Sequence, residues 1–250
     1  IDKVIQKKIL KELTAAFGGN FYEVIIGGAA FNPEVEAFFK KIGFPLTVGY
    51  GMTECAPIIT YADWKEARLT SCGREVMNMK VRIDSSDPEN IPGEIQVSGP
   101  NVFLGYYKNE QATAEVTTDD GWFRTGDMGI IDKDGFLYIR GRSKCMILGP
   151  SGQNIYPEEI EAVVNNVNYV VDSLVIEDNG NLVSLIFPDY HQAELDGLSK
   201  DQLEERINSA LPEINKQIPN YAKISKIEFL PEDFERTPKR SIKRYLYQRN

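Results

Sequence analysis

Two short apolar runs, Val24–Ile26 and Pro45–Val48, each follow a helical pattern and each drop into glycine. Ile1, Val4, Ile5, Ile9, Leu10, Leu13 and Phe17 recur at helical spacing until Gly18-Gly19 stops them. Asn32-Pro33-Glu34 then opens a second helix, with Asn as cap, Pro at the first helical position and Val35, Phe38, Phe39 and Ile42 on its apolar face. Helix, strand, helix, strand is the rhythm of a parallel sheet with crossovers. The first strand runs into Gly27-Gly28-Ala29-Ala30 and the second into Gly49-Tyr50-Gly51-Met52-Thr53-Glu54. In open α/β sheets ligands bind beyond the carboxyl ends of strands, so both turns are expected to face one pocket. Alone, the Tyr50–Glu54 stretch reads equally well as a turn with an exposed Glu.

From about Arg68 the rhythm changes. Met79–Ile83, Gly93–Val97 and Phe136–Arg140 are short strands, and Asp132-Lys133-Asp134-Gly135 is a hairpin turn signal. This middle part predicts a small antiparallel sheet or barrel. Beyond Gly141-Arg142-Ser143-Lys144 a helix is expected over Pro157–Val167, then strands Val171–Ile176 and Leu182–Phe187 about the turn Asp178-Asn179-Gly180-Asn181. Ser199 with Gln202 makes a capping box for a helix carrying Leu203, Ile207 and Leu211, and Ile224–Leu230 is a last strand. The fold class is therefore α/β, then α+β. Residues 1–141 form the end of a large domain (parallel sheet 1–67, antiparallel subdomain 68–141), and 142–250 form a separate C-terminal α+β domain.

Composition removes several function classes. A formal charge of −9 argues against general nucleic-acid binding. Three cysteines (Cys55, Cys72, Cys145) lack metal spacing, and their odd number fits a reducing cytoplasm better than a disulfide scaffold. No run of about 18 apolar residues crosses a membrane, and no signal-peptide pattern opens the chain. The single histidine, His191, lies in a polar segment without a nucleophile beside it, against a Ser-His-Asp hydrolase. Beginning in a helix pattern without an initiator Met, the chain is expected to be a piece of a longer protein.

Four clusters need a common explanation: Gly27-Gly28-Ala29, Tyr50–Glu54, Trp122-Phe123-Arg124-Thr125-Gly126-Asp127 and Gly141–Lys144. Close-approach backbone, an aromatic ring, two carboxylates and an Arg together suit a nucleotide. Their order and wording resemble the adenylate-forming acyl-CoA synthetase superfamily, specifically its long-chain fatty acyl-CoA ligases. Tyr50-Gly51-Met52-Thr53-Glu54 is similar to the family's Y-G-x-T-E motif. Gly93-Glu94-Ile95, Gly99-Pro100-Asn101-Val102 and Gly105-Tyr106-Tyr107 resemble its G-E-(L/I)…G-x-x-V…G-Y-Y segment. Phe123–Asp127 resembles (W/Y/F)-x-T-G-D, and Gly141–Lys144 with Asn154–Glu161 resembles the hinge motif and the helix after it.

The resemblance implies a two-step reaction in which a fatty carboxylate and ATP give acyl-AMP and pyrophosphate, and CoA then takes the acyl group. It implies that Gly27, Gly28 and Ala29 pass beside adenine and that Tyr50 stacks near the base, with Gly51 near the acyl carboxylate and Met52 among the nucleotide-binding residues. Thr53 would bind a phosphate oxygen, Glu54 would hold Mg²⁺, Asp127 would accept both ribose hydroxyls and Arg142 would contact ribose or phosphate. Lys144 falls at the hinge and Gly152 near the pantetheine tunnel. Fatty acid and CoA are the implied partners; fatty substrates leave peripheral membrane contact open, although no amphipathic anchor is evident. Nothing in the sequence bears on oligomeric state.

The chain departs from the pattern in three places. The family's phosphate loop with its Lys, which lies upstream of Y-G-x-T-E, is missing, as is most of the acyl tunnel, so the chain alone is expected to have little ligase activity. The adenylation lysine usually sits in a T-P-T-x-K-x-K-R-like run; in the matching run Thr237–Arg244 it falls on Ser241, and Lys239 or Lys243 substitutes only if the loop shifts. Cys145 stands where the family often has an acidic residue, and Ala30 where it often has Pro. Two other functions stay open: a fatty acyl-AMP ligase that loads a carrier-protein thiol, and a non-catalytic nucleotide- or acyl-binding protein.

Overall fold

The structure, a computed structural model, describes residues 2–150, 152–238 and 240–249. The chain divides into two compact units, Ile1–Ser143 and Lys144–Asn250.

Unit 1 opens with α1 (Lys3–Ala16), capped by the Asp2 side chain, which accepts from the Val4 amide. β1 (Val24–Ile26) leads to α2 (Pro33–Ile42). The Asn32 side-chain oxygen accepts from the amides of Glu34 (2.9 Å) and Val35 (3.1 Å), and Gly43 ends the helix at φ 76°. β2 (Leu46–Val48) pairs with β1 in parallel, Val24 opposite Leu46 and Ile26 opposite Val48, as the helix–strand alternation demands. β3 (Tyr50–Gly51), β4 (Ile58–Tyr61) and β5 (Arg74–Glu75) make an antiparallel sheet. β6 (Lys80–Asp84) and β7 (Gly93–Ser98) follow, then the short α3 (Glu110–Glu115), β8 (Phe123–Ile131) and β9 (Leu137–Arg142). Strands β6-β7-β8-β9 form an antiparallel sheet in sequence order. Val48, Tyr50, Ile59, Ile83, Ile95, Val97, Phe123 and Leu137 share one core, so the strand that leads to the site and the antiparallel sheets are packed together.

Unit 2 begins with the hairpin β10 (Ile147–Leu148) and β11 (Asn154–Ile155), then α4 (Pro157–Val164). β12 (Val170–Asp178) and β13 (Asn181–Pro188) form a hairpin whose central residues Asn179 (φ 51°) and Gly180 (φ 78°) both adopt the left-handed conformation that such a turn requires. α5 (Tyr190–Leu195), α6 (Lys200–Asn208) and α7 (Leu211–Gln217) precede β14 (Ile224–Phe229), which joins β13 in parallel. The Ser199–Gln202 capping box is formed on both sides. Ile160, Val164, Val175, Ile186, Leu203, Ile207 and Ile214 pack helices on one face of the sheet.

Several expectations need correction. β8 is a nine-residue strand that the apolar pattern does not reveal. Its inward positions are Phe123, Thr125, Asp127 and Gly129, so the buried face carries a hydroxyl, a carboxylate and a glycine where alternation would show hydrophobes. Arg142 closes β9 within unit 1, where the sequence places it in the C-terminal domain. A subdomain line at residue 67/68 cuts a sheet, because Tyr61 pairs with Arg74. α4 stops at Val164, where Asn165 and Asn166 follow, and Leu211 starts α7, with Pro212 in its first turn, and does not extend α6. No helix among the described residues is long and apolar enough to cross a membrane.

Candidate active site

The turns after β1 and β2 lie side by side. The Gly49 amide donates to the Ile26 carbonyl at 2.8 Å, and a Cβ on Gly27 would come within 3.3 Å of the Gly49 carbonyl. Gly28 sits at φ +90° with open space over it. Gly51 is dictated by close approach: a Cβ there would lie 2.1 Å from the Pro57 carbonyl, the group that accepts from the Met52 amide. A 3-10 turn, Thr53–Cys55, then leaves Thr53 exposed and Glu54 half-buried.

Tyr50 points inward. Its ring is buried in the unit 1 core and its hydroxyl donates to Asp127 Oδ2 at 2.7 Å. Asp127 projects from the inner face of β8, opposite Arg142 in the β8–β9 ladder, and its Oδ1 lies 3.0 Å from Arg142 Nε. Thr125 tightens the strand beneath: its hydroxyl donates to the Ile95 carbonyl (2.8 Å) and accepts from the Asp127 amide (3.1 Å). Burial pushes the Asp127 carboxyl above the usual carboxylate range, while Tyr50 and Arg142 pull it back. The same burial, reinforced by the charge on Asp127, raises the Tyr50 phenol far beyond physiological pH, so it stays a donor. The side chain of Asp127 is only 8% exposed, whereas that of Arg142 is 65% exposed. The group is thus a buried carboxylate under a solvent-exposed cationic cover. Each carboxylate oxygen has a second lone pair, so vicinal hydroxyls can be accepted once Arg142 moves aside.

The structure brings Tyr50, Asp127 and Arg142 into direct contact, with Thr53 and Glu54 one turn beyond Tyr50. It also adds partners that sequence reasoning missed. The Tyr106 hydroxyl donates to Glu54 Oε1 at 3.0 Å, and the Glu94 carboxylate takes Arg124 (2.9 Å) and the Gly126 amide (3.2 Å). Both residues stand in motif segments legible in the sequence, but spacing alone assigns them no contact. Among the described residues no three His, Cys, Asp or Glu side chains cluster as a metal site. A cation at Glu54 would take that carboxylate and complete its shell with phosphate oxygens and water, which is how Mg²⁺ is commonly held with nucleotides.

The remaining candidates lie in or at the start of unit 2. Lys144 stands in the 3-10 turn Ser143–Cys145, and Gly152 (φ +82°, open space) in the β10–β11 turn. Ser241 is exposed, and its carbonyl accepts from the Thr237 amide at 2.8 Å. Lys243 Nζ is paired with Glu235 at 3.0 Å, which raises its pKa, and Lys239 lies outside the described residues. Arg244 is held by Glu161, a buried α4 carboxylate that also accepts from the Val175 amide at 2.7 Å.

Comparison with known proteins supplies the family. A family model described as AMP-binding enzyme matches residues 3–107, and one described as AMP-binding enzyme C-terminal domain matches residues 146–250. The long-chain-fatty-acid–CoA ligase FadD15 of Mycobacterium tuberculosis is 31% identical over 96% of this chain and 42% of its own length. The 2-succinylbenzoate–CoA ligase of Bacillus cytotoxicus is 38% identical over 68% of this chain and 37% of its own length. Among solved structures, O-succinylbenzoate coenzyme A synthetase (MenE) from Bacillus subtilis in complex with ATP and magnesium ion superposes with a TM-score of 0.75. It shares 24% identity over 94% of this chain and 49% of that one, a likeness of fold. ATP-bound MatB from Rhodopseudomonas palustris gives 0.74 at 25% identity over 98% of this chain and 49% of its own. The chain therefore spans less than half the length of these relatives.

Proposed function

The chain belongs to the AMP-binding family of adenylate-forming acid–thiol ligases, and from that premise we propose that it is the C-terminal half of a long-chain fatty acid–CoA ligase. The observation that carries the reading is the buried Asp127 carboxylate between the Tyr50 hydroxyl and Arg142. Low dielectric strengthens its hydrogen bonds to ribose hydroxyls, and its fixed β8 backbone holds it ready for them. Arg142, mostly exposed, follows the ribose or phosphate. Gly27, Gly28 and Ala29 admit the adenine beside the strand ends, with Tyr50, Gly51 and Met52 as the floor. The exposed Thr53 hydroxyl would donate to a phosphate oxygen, and Glu54 would hold Mg²⁺. Mg²⁺, when bound, offsets charge that accumulates on the phosphates as the acid attacks the α-phosphorus. The residues of this chain contribute chiefly position and charge, from which most of the catalysis of phosphoryl transfer comes. CoA thiolate then attacks the acyl-adenylate, with Lys144 as the hinge between half-reactions and Gly152 beside the pantetheine path.

Ser241 favours a second reading. An uncharged, exposed serine at the position of the family's adenylation lysine fits a nucleotide-binding homologue without ligase activity. The full-length protein, given ATP, Mg²⁺ and palmitate, decides between them. Palmitoyl-CoA formed with CoA supports the ligase. Acylation of a phosphopantetheinyl carrier protein alone makes it an acyl-AMP ligase, and AMP binding without either product makes it non-catalytic.

A further inference from the structure

One loop closes over the turn that carries Glu54, and the function proposed above gives it no task. Asn101 Nδ2 donates to the carbonyls of Cys55 (2.7 Å) and Ile58 (3.0 Å), and the Phe103 amide donates to the Glu54 carbonyl at 2.8 Å. These contacts fix the backbone of the turn. The same loop then sends the Tyr106 hydroxyl to the Glu54 side chain, where it donates to Oε1 at 3.0 Å. We propose that Tyr106 is a positioning residue that holds the Glu54 carboxylate in the orientation in which it receives the cation of a nucleotide–metal complex. This rests on the reading of Glu54 given above.

The chemistry of the donor matters. An Arg or Lys in this place would neutralise the carboxylate and compete with the cation. A neutral phenol orients one oxygen, leaves the negative charge in place, and frees the other oxygen for the metal. A phenol keeps its proton at neutral pH and so remains a donor.

Tyr106 is itself fixed. Its ring stands edge-on to Phe103 at 4.8 Å, and Phe103 stands edge-on to Phe123 at 5.4 Å, on the strand that bears Asp127. Its amide donates to Thr113 Oγ1 at 2.9 Å, and that hydroxyl donates to the Asn109 carbonyl at 2.9 Å. Gly105 makes the turn at φ +144°, where an added Cβ would meet Thr113 at 2.7 Å. The Gly105-Tyr106-Tyr107 motif does not distinguish its two tyrosines, but their surroundings do: Tyr107 is 88% exposed and its ring lies under Lys108.

The test uses the 250-residue chain with ATP as ligand, titrated calorimetrically with and without Mg²⁺. Tyr106→Phe should reduce the gain in ATP affinity produced by Mg²⁺ roughly tenfold, the scale of a hydrogen bond to a charged group, and leave metal-free AMP affinity unchanged. Glu54→Gln should abolish the gain, and Tyr106→Phe added to it should change nothing further. A wild-type gain in Tyr106→Phe overturns the proposal. A wild-type chain to which Mg²⁺ adds nothing overturns it together with the cation reading of Glu54, so the wild-type arm separates the two failures.

Discussion

Asp127 shows what a single residue can force on its surroundings. A carboxylate on the buried face of a strand is costly unless partnered, and the partners here are a phenol and a guanidinium drawn from two other strands. The motif residues themselves were legible in the sequence, because Tyr50, Asp127 and Arg142 stand in recognisable segments. Their mutual contacts were not, since β8–β9 register sets Arg142 opposite Asp127 while the packing of two separate sheets brings in Tyr50 from 77 residues away. Ser241 poses the opposite case, a missing charge. It is exposed beside the Arg236–Ile242 bridge, so a lysine fits there without repacking. In the full-length protein Ser241→Lys should raise the rate of acyl-adenylate formation, measured by pyrophosphate release, and an unchanged rate would sink the register. Glu228 allows a prediction about pH. Arg249 and Lys226 hold its carboxyl at about 2, against an ordinary 4.5. A depressed folded-state pKa means that its contribution is present above pH 4.5 and is lost as pH falls through about 2. Glu228→Gln should therefore lower stability at pH 7 by no more than about 1 kcal/mol, since the pair is partly solvated. It should also flatten the loss of stability as pH falls from about 4.5 toward 2, measured by urea unfolding.

At the level of elements, capping, turn chemistry and most of the apolar strand runs were readable, and β8 was not. The Asn32 cap, the Ser199–Gln202 box and the Asn179-Gly180 turn are local devices, written in adjacent residues, and each is formed. Asn32→Ala removes the acceptor for two orphan amides and should cost about 1 kcal/mol, read as a lower urea midpoint for unit 1 with the slope unchanged. Substitution of Asn32 by Ser should restore most of it. β8 is hidden in the sequence because its buried side chains serve the site and not the core: Thr125 and Asp127 occupy positions that a structural strand would give to Val or Ile. The short sheet β3-β4-β5 was unreadable for another reason. β3 and β5 have two residues each, too short for any periodicity to register.

The whole molecule comprises two compact units, Ile1–Ser143 and Lys144–Asn250. Unit 1 holds a complete Tyr50–Asp127–Arg142 constellation, and the chain spans less than half the length of its relatives. The two facts separate binding from turnover. We expect the 250-residue chain alone to form little or no acyl-AMP from ATP and palmitate, because no Ser/Thr/Gly-rich phosphate loop with a lysine precedes Tyr50 within it. Nucleotide binding by unit 1 does not require that loop if Asp127 takes the ribose. The decisive experiment is calorimetric titration of AMP into the chain and into Asp127→Ala, with circular dichroism to confirm that both are folded. AMP should bind the wild-type chain, and Asp127→Ala should weaken it at least tenfold, roughly the worth of hydrogen bonds to a buried charge. Equal affinity for the two chains would refute ribose capture by Asp127.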